Sequence, residues 1–472
     1  MGNQSCDIGL VGLGVMGRNL VLNMADHGFA VAIYNRTTAK TREFMDQEVG
    51  GRDIRGGYTL AEFVGHLKVP RAIIITVSAG PPVDAVIDEL LPLLNPGDLI
   101  IDGGNSFFKD TRRRGQALEA KGLLYLGLGI SGGEEGARHG PSLMPGGSRE
   151  AYDRVRPILE TAAAQVRGEP CVAYLGGGAT GHFVKMVHNG IEYAIMELLA
   201  ESYDLLRRGL GLSLEEIAGI FAEWNRGELA SYLVEITVPI LRRVDQKTGR
   251  PLLDLILDEA RQKGTGEWTS QEAMDLHVPT PTIDTAVMMR DLSGFKAERE
   301  EAARVLDDPQ PGFLGDPQVF VSQLGRALYA GMVLAFAQGL ALLEHASRAY
   351  GYRLELEAVA RIWRGGCIIR AALLEDIRAA YQLQPGLPHL LLDPKLGEAV
   401  RDRGPDLRAV ARIAGELGIP APGLQVSLAY YDAYRSARLP ANLIQAQRDY
   451  FGAHTYERTD SPGIFHTSWT ED

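Results

Sequence analysis

Residues 182–193 carry the side chains with the most chemistry per unit length. Lys185, His188, Asn189, Glu192 and Tyr193 recur at i, i+3, i+4, i+7 and i+8. That spacing puts all five on one face of a helix, while Met186, Val187, Ile191 and Ile195 fall largely elsewhere. A core face of this kind needs partners for every polar group; a solvated face would need none. In a cleft the same stripe has a use. A buried lysine loses its charge and can take the proton from a carbinol as hydride leaves. If the product is a β-keto acid, the same lysine, now protonated, polarises its carbonyl and lets carbon dioxide go without a metal. The enediol left behind needs a proton on carbon, and Glu192, two turns from Lys185, is placed to give it.

Other segments offer binding groups. Gly12-Leu13-Gly14-Val15-Met16-Gly17 is a G-x-G-x-x-G that follows an apolar run and opens a helical pattern. This is the context in which such glycines let a pyrophosphate approach the backbone and a helix N-terminus. Asn35-Arg36-Thr37 stands where an acidic residue would hold the ribose of NAD; Arg36 pairs instead with a 2′-phosphate, so NADP is the expected cofactor. The alternative is a solvent-facing arginine. Lys263-Gly264-Thr265-Gly266 and Ser131-Gly132-Gly133, with Asn105 at the end of an earlier run, suit a carboxylate or phosphate, although each is also compatible with an ordinary turn.

The elements that must hold these groups fall into three parts. Short, nearly continuous apolar runs at 8–11, 30–34, 72–77, 99–101 and 123–128 predict buried parallel strands, with amphipathic stretches at 17–27 and 83–94 between them. A doubly wound, Rossmann-type α/β domain is therefore expected over residues 1–178. Gly176-Gly177-Gly178 marks its end. Beyond it the period becomes 3.6, with long helices expected at 184–208, 214–224 and 323–349, in an all-helical domain over 179–438. That domain looks duplicated: 214–227 ends in Trp224-Asn225-Arg226-Gly227 and 354–366 in Trp363-Arg364-Gly365-Gly366, each after a long helix and a glycine-containing turn. Residues 439–472 form a tail rich in polar, cationic and aromatic residues, suited to packing on a neighbouring subunit.

The chain has 472 residues and a net charge of −12, which disfavours nucleic acid as a partner. Cys6, Cys171 and Cys367 show no paired spacing, arguing against disulfides or zinc and for a reducing, cytoplasmic setting. The start lacks a signal-peptide pattern, and no apolar run is expected to reach the ~20 residues of a membrane helix.

Taken together, the chain closely resembles the 6-phosphogluconate dehydrogenases, the decarboxylating enzymes of the pentose phosphate pathway, in their long form. The matching runs are 9–20, 35–37, Asp102-Gly103-Gly104-Asn105-Ser106, 131–138, 140–147, 181–193, 263–269 and 439–457, spread from residue 7 to Trp469. The resemblance implies NADP and 6-phosphogluconate as ligands, and a homodimer with shared sites. It implies Lys185 as base then acid, and Glu192 as the acid toward the enediol. Asn105, Ser131, Gly132, Gly133, His188 and Asn189 would meet the sugar's carboxylate and hydroxyls. Tyr193, Lys263, Thr265 and Arg290 would meet its phosphate, and Arg448 and His454 would reach the partner's site. Gly12 to Gly17, Asn35, Arg36, Thr37, Val77, Ser78, Ala79 and Asn105 would line the cofactor; no metal is implied.

Two positions depart from the family pattern. The loop Thr76-Val77-Ser78-Ala79-Gly80 lacks a lysine the family often has, which bears on cofactor affinity. Glu267 replaces a second basic residue after Gly266, which would weaken phosphate binding if it faced the site. Three other readings stay open. A different β-hydroxyacid dehydrogenase, such as one for 3-hydroxyisobutyrate, would leave Lys263, Arg448 and His454 without purpose. An inactive NADP or sugar-phosphate sensor would have no need of Lys185 and Glu192. A helical scaffold would leave the polar stripe unexplained.

Overall fold

The computed structural model describes residues 5–306 and 311–469; the first four residues of the expected nucleotide-binding domain and the last three of the tail lie outside them. Among the described residues, seven strands form one sheet: β1 (Ile8–Val11), β2 (Val31–Tyr34), β3 (Ile54–Gly56), β4 (Ala72–Ile75), β5 (Leu99–Asp102), β6 (Leu124–Ser131) and β7 (Ser142–Gly147). Their order is β3-β2-β1-β4-β5-β6-β7. The first six are parallel and β7 runs antiparallel to β6. Strand order reverses between β1 and β4, the point at which a doubly wound sheet opens a crevice for ligand. Alternate residues feed two cores. Ile8, Leu10, Ile33, Ile74 and Ile101 face one side, and Val11, Ala32, Ile73, Ile75 and Ile100 face the other. Burial on both faces explains why these strands read as unbroken apolar runs.

Seven helices cover the sheet: α1 (Val15–Asp26), α2 (Thr38–Gln47), α3 (Leu60–Gly65), α4 (Pro81–Leu90), α5 (Phe108–Glu119), α6 (Gly133–His139) and α7 (Arg149–Ala162). A small hairpin, β8 (Gln165–Val166) and β9 (Glu169–Pro170), follows. Strand β7 was not expected, because Pro145, Gly146 and Gly147 give it the composition of a loop; as an antiparallel edge strand it tolerates the proline. Short edge strand β3 was also unanticipated.

The next eleven helices are α8 (Thr180–Asp204), α9 (Leu214–Trp224), α10 (Tyr232–Arg242), α11 (Thr265–Asp275), α12 (Pro281–Ser293), α13 (Lys296–Val305), α14 (Pro317–Tyr350), α15 (Leu356–Ile362), α16 (Leu373–Leu383), α17 (Pro394–Glu416) and α18 (Pro422–Tyr434). Helix α9 begins where its local chemistry requires: Ser213 and Glu216 form a reciprocal capping box. Helix α8 ends in a π turn at Leu205–Gly209. Helix α14 corrects one expectation. It is long and apolar enough to cross a membrane, but 94% of its most apolar window is buried inside the protein, where it packs on α8 and α17. In line with the expected repeat, α9 and α15 each follow a long helix, α8 and α14, after a turn that contains glycine. Equivalent turns meet in an antiparallel bridge between Ser231 and Ala371, and α12 packs on α18, each helix opening at a proline.

The tail holds α19 (Ala441–Gly452) and a hairpin of β10 (Tyr456–Glu457) and β11 (Ile464–Phe465). Buried Asp449 organises it, accepting from the amides of Thr455 and Thr467, from His466 and from the Trp469 indole.

Candidate active site

Two sites share the sheet's carboxyl edge and the first long helix. The first lies at the strand-order reversal, where a cavity of about 630 Å³ is lined by Gly12, Gly14, Asn35, Arg36, Thr37, Lys40, Thr76, Val77, Ser78 and residues of α4 up to Glu89. Gly12 takes φ +106°, and a Cβ there would lie 2.8 Å from the Thr76 carbonyl, so only glycine fits. The Leu13 amide donates to Asn35 Oδ1 at 3.1 Å, tying this turn to the end of β2. Gly14 offers no side-chain cap to the first amides of α1, an arrangement that receives an anion. Arg36 and Lys40 stand together on the cavity wall. Of the expected cofactor residues, Leu13 is buried beneath the turn, Val15 is exposed, and Met16, Gly17 and Ala79 are not in the lining. Lys40 was missed; its signal was its place four residues after Arg36, near the start of α2. It supplies a cation on the cavity that Ser78 does not.

The second site is built on α8. Lys185 is 5% exposed and His188 fully buried, with β6 packed on α8 and Trp363 and Cys367 close by. Lys185 Nζ lies 3.4 Å from His188 Nδ1, which also faces Asn189 Oδ1 at 3.1 Å and Glu192 Oε2 at 3.7 Å. Ser131 Oγ meets His188 Nε2 at 3.2 Å. The set is consistent with Nδ1–H donating to Asn189 and Nε2 accepting from the serine hydroxyl. Asn189 Nδ2 donates to Thr265 Oγ1 at 2.9 Å, which brings the start of α11 to the stripe. Arg290, from α12, stacks its guanidinium 3.4 Å from the centre of the Tyr193 ring. Thus α8, β6, α11 and α12 converge.

Burial sets the protonation states. It pulls the Lys185 amine below its ordinary value, against the pull of Glu192 and Cys367. It pushes the Glu192 carboxyl up, against Lys185 and Arg290. It drives His188 well below the usual imidazole range, and the neighbouring Lys185 adds to that. A lysine inclined to be neutral and a glutamate inclined to be protonated stand beside the same nitrogen of a neutral imidazole.

The remaining expected residues are spread out. Asn105 is exposed at φ +52° after β5, and Lys263 is exposed before α11. Glu267 faces solvent and accepts from Gln271 on its own helix, so its charge is directed along α11. Arg448 bonds Gln445, and His454 meets the Phe451 ring. Among the described residues no hydrogen bond or ion pair joins either to the Lys185 site; the hydrogen bonds of the tail close within it. Sequence reasoning missed Trp363, which sets its ring edge to His188 at 5.6 Å, and buried Cys367 near Lys185. In the sequence Trp363 reads only as the end of a repeat.

Comparison with known proteins matches residues 7–176 to the family described as "NAD binding domain of 6-phosphogluconate dehydrogenase" and residues 181–469 to "6-phosphogluconate dehydrogenase, C-terminal domain". The chain is 54% identical over 465 residues to a decarboxylating 6-phosphogluconate dehydrogenase of Synechococcus elongatus, covering 98% of each chain. It is 51% identical over 463 residues to an NADP(+)-dependent, decarboxylating one of Bacillus subtilis, again covering 98% of each. It is similar to the solved structure of Plasmodium falciparum 6-phosphogluconate dehydrogenase, determined in its apo form and in complex with NADP+ and with 6-phosphogluconate. The TM-score is 0.95 at 44% identity, covering 98% of this chain and 100% of that one.

Proposed function

The chain belongs to the 6-phosphogluconate dehydrogenase family, and from that membership we propose that it oxidises 6-phospho-D-gluconate with NADP and decarboxylates the product to D-ribulose 5-phosphate. In this reading residues 1–178 seat the cofactor, 179–438 hold the substrate, and 439–472 reach a partner subunit. NADP, when bound, accepts the hydride from the substrate's carbinol carbon. The residues that fit it are Gly12 and Gly14 of the glycine turn, with Asn35, Arg36, Thr37 and Lys40 toward the 2′-phosphate and Val77 and Ser78 along its length.

One observation carries the mechanism: the opposed protonation tendencies of buried Lys185 and half-buried Glu192 at one imidazole. Neutral Lys185 takes the proton of the substrate hydroxyl as hydride leaves, giving a β-keto acid. As an ammonium it then polarises the new carbonyl, and the bond to the carboxylate breaks with release of carbon dioxide. Protonated Glu192 gives its proton to the enediol carbon that carried the carboxylate. These steps assign no role to a metal. Asn105, Ser131, Gly132, Gly133, His188 and Asn189 orient the carboxylate and hydroxyls; Tyr193, Lys263, Thr265 and Arg290 take the phosphate.

Arg448 and His454 of one copy reach the site of a second. This is supported by the exposed apolar residues of α19, of which Leu443, Ile444, Tyr450 and Phe451 are each at least 60% exposed. Three buried, unpaired cysteines fit a reducing, cytoplasmic setting. The test is reduction of NADP and NAD in parallel with 6-phosphogluconate while carbon dioxide is trapped. Stoichiometric carbon dioxide with NADP preferred is the expected result. No reduction by folded protein that binds the sugar acid would overturn the assignment in favour of a sensor.

A further inference from the structure

Beneath the cofactor cavity lies a charge network to which none of these roles assigns a purpose. Arg114, on α5, is 2% exposed. Its Nε and Nη2 donate to the two carboxylate oxygens of Asp84, each at 2.9 Å, in the first turn of α4. Nη2 also donates to the Gly80 carbonyl at 3.0 Å. Its Nη1 donates to Asp102 Oδ2 at 3.2 Å and Ser106 Oγ at 3.0 Å. Asp102, fully buried at the end of β5, also accepts from Ser106 Oγ, from the Tyr125 hydroxyl and, through Oδ1, from the Gly104 amide.

One guanidinium therefore holds two loops. The first, between β4 and α4, carries Thr76, Val77 and Ser78 of the cofactor cavity. The second, between β5 and α5, carries Asn105. The loops touch: a Cβ on Gly104 would lie 2.8 Å from the Val77 carbonyl. Asn105 holds a left-handed backbone, and the residues on both sides of it are tied to Asp102.

We propose that Arg114 is a positioning residue that sets the register of the 76–80 loop against the 103–106 loop, and so couples the cofactor seat to Asn105. The proposal rests on the reading that the cavity takes NADP. A planar fork matters because the guanidinium presents five donors in fixed directions, whereas a lysine ammonium is a compact point charge with three.

The test uses the full-length chain as Arg114→Lys and Asp84→Asn. Asp84 is partly exposed, which favours folding of the second variant. NADP binding is measured by calorimetry without substrate, and hydrogen exchange is followed in the ligand-free protein. Both variants are expected to bind NADP at least about 10-fold more weakly; 6-phosphogluconate binding alone should weaken in Arg114→Lys, through Asn105, and change by less than about 3-fold in Asp84→Asn. Exchange should quicken at 76–80 and 103–106 in Arg114→Lys, at 76–80 alone in Asp84→Asn, and not along α8. NADP affinity within about 2-fold of the unaltered chain in both variants, or exchange quickened evenly through the molecule, would overturn the proposal. If the unaltered chain binds NADP but does not oxidise 6-phosphogluconate, the proposed reaction fails while binding and exchange still decide the role of Arg114.

Discussion

Lys185→Met separates chemistry from structure at this site. The amine is almost wholly buried, and burial already works against its charge. Its nearest polar neighbour is a single imidazole nitrogen 3.4 Å away. Methionine fills the same slot without an ionisable group, so the variant loses no well-formed ion pair and is relieved of a desolvation cost. Alanine would be a poorer probe, because emptying a buried stem costs about 2–5 kcal/mol through the cavity left behind. The thermal midpoint of Lys185→Met should therefore equal or exceed that of the unaltered chain. Catalysis should collapse. A positioned proton-transfer group is worth about 10²–10⁴ in rate, and Lys185 serves in both the oxidation and the decarboxylation. A loss of about 10⁴ in kcat is expected, or about 5.5 kcal/mol of barrier at about 1.36 kcal/mol per tenfold. Lys185 holds down the pKa of both His188 and Glu192, so both should rise in the variant. The assay is NADPH absorbance with 6-phosphogluconate, beside calorimetric binding of the sugar acid, which should persist. Turnover within tenfold of the unaltered chain would refute the base assignment, and a large fall in thermal midpoint would show that the amine is structural.

Further outcomes follow from other residues. The active form needs neutral Lys185 and protonated Glu192, so kcat should rise with pH as the lysine deprotonates and fall as the glutamate ionises; Glu192→Gln should remove the alkaline limb, and a profile unchanged by that substitution would exclude Glu192. Arg36→Asp should forfeit a charged contact worth about 1.5–3 kcal/mol and add repulsion, moving the ratio of kcat/KM for NADP over NAD by about 10²-fold toward NAD; an unchanged ratio would make Arg36 a surface residue. Deleting residues 440–472 should leave a folded chain with little activity, since the tail's hydrogen bonds close within it; an active truncated monomer would refute the shared site. Glu201 accepts the Gly423 and Leu424 amides at the start of α18, and burial raises its carboxyl from the ordinary 4.5 to about 8. The folded state thus binds the proton more readily than the unfolded state, so stability should fall as pH climbs from 4.5 to 8. Glu201→Gln should flatten that slope in denaturant unfolding, and an equal slope in both proteins would show that Glu201 does not titrate there.

What the sequence revealed tracks how local each constraint is. The α8 stripe was legible because a 3.6-residue period fixes which side chains share a face, and the first glycine turn because a strand, a turn and a helix follow one another within about ten residues. Strand β7 was hidden because its identity comes from β6 beside it and not from Pro145 and its glycines. Lys40 was legible in principle, one helical turn from Arg36, but its cavity appears only when β4 and α4 arrive. Glu267 could not be oriented until Gln271 was seen to take its carboxylate.

Trp363 and Cys367 show a deeper reason. Both stand well over a hundred residues after Lys185, at the end of the second repeat, and neither has a side chain that advertises chemistry. Yet the indole edge against His188 and the buried thiol near Lys185 belong to the surroundings that keep water from the stripe. A lysine, a histidine and a glutamate on an exposed α8 would keep nearly ordinary protonation states and do little acid–base work near neutral pH. On the proposed mechanism, the chemistry of α8 then depends on burial to which Trp363 and Cys367 contribute. Thinning that cover, as in Trp363→Phe, should move Lys185 and Glu192 back toward their ordinary protonation, read as a shift of both limbs of the kcat–pH profile; limbs that stay in place would show that the indole does not set them.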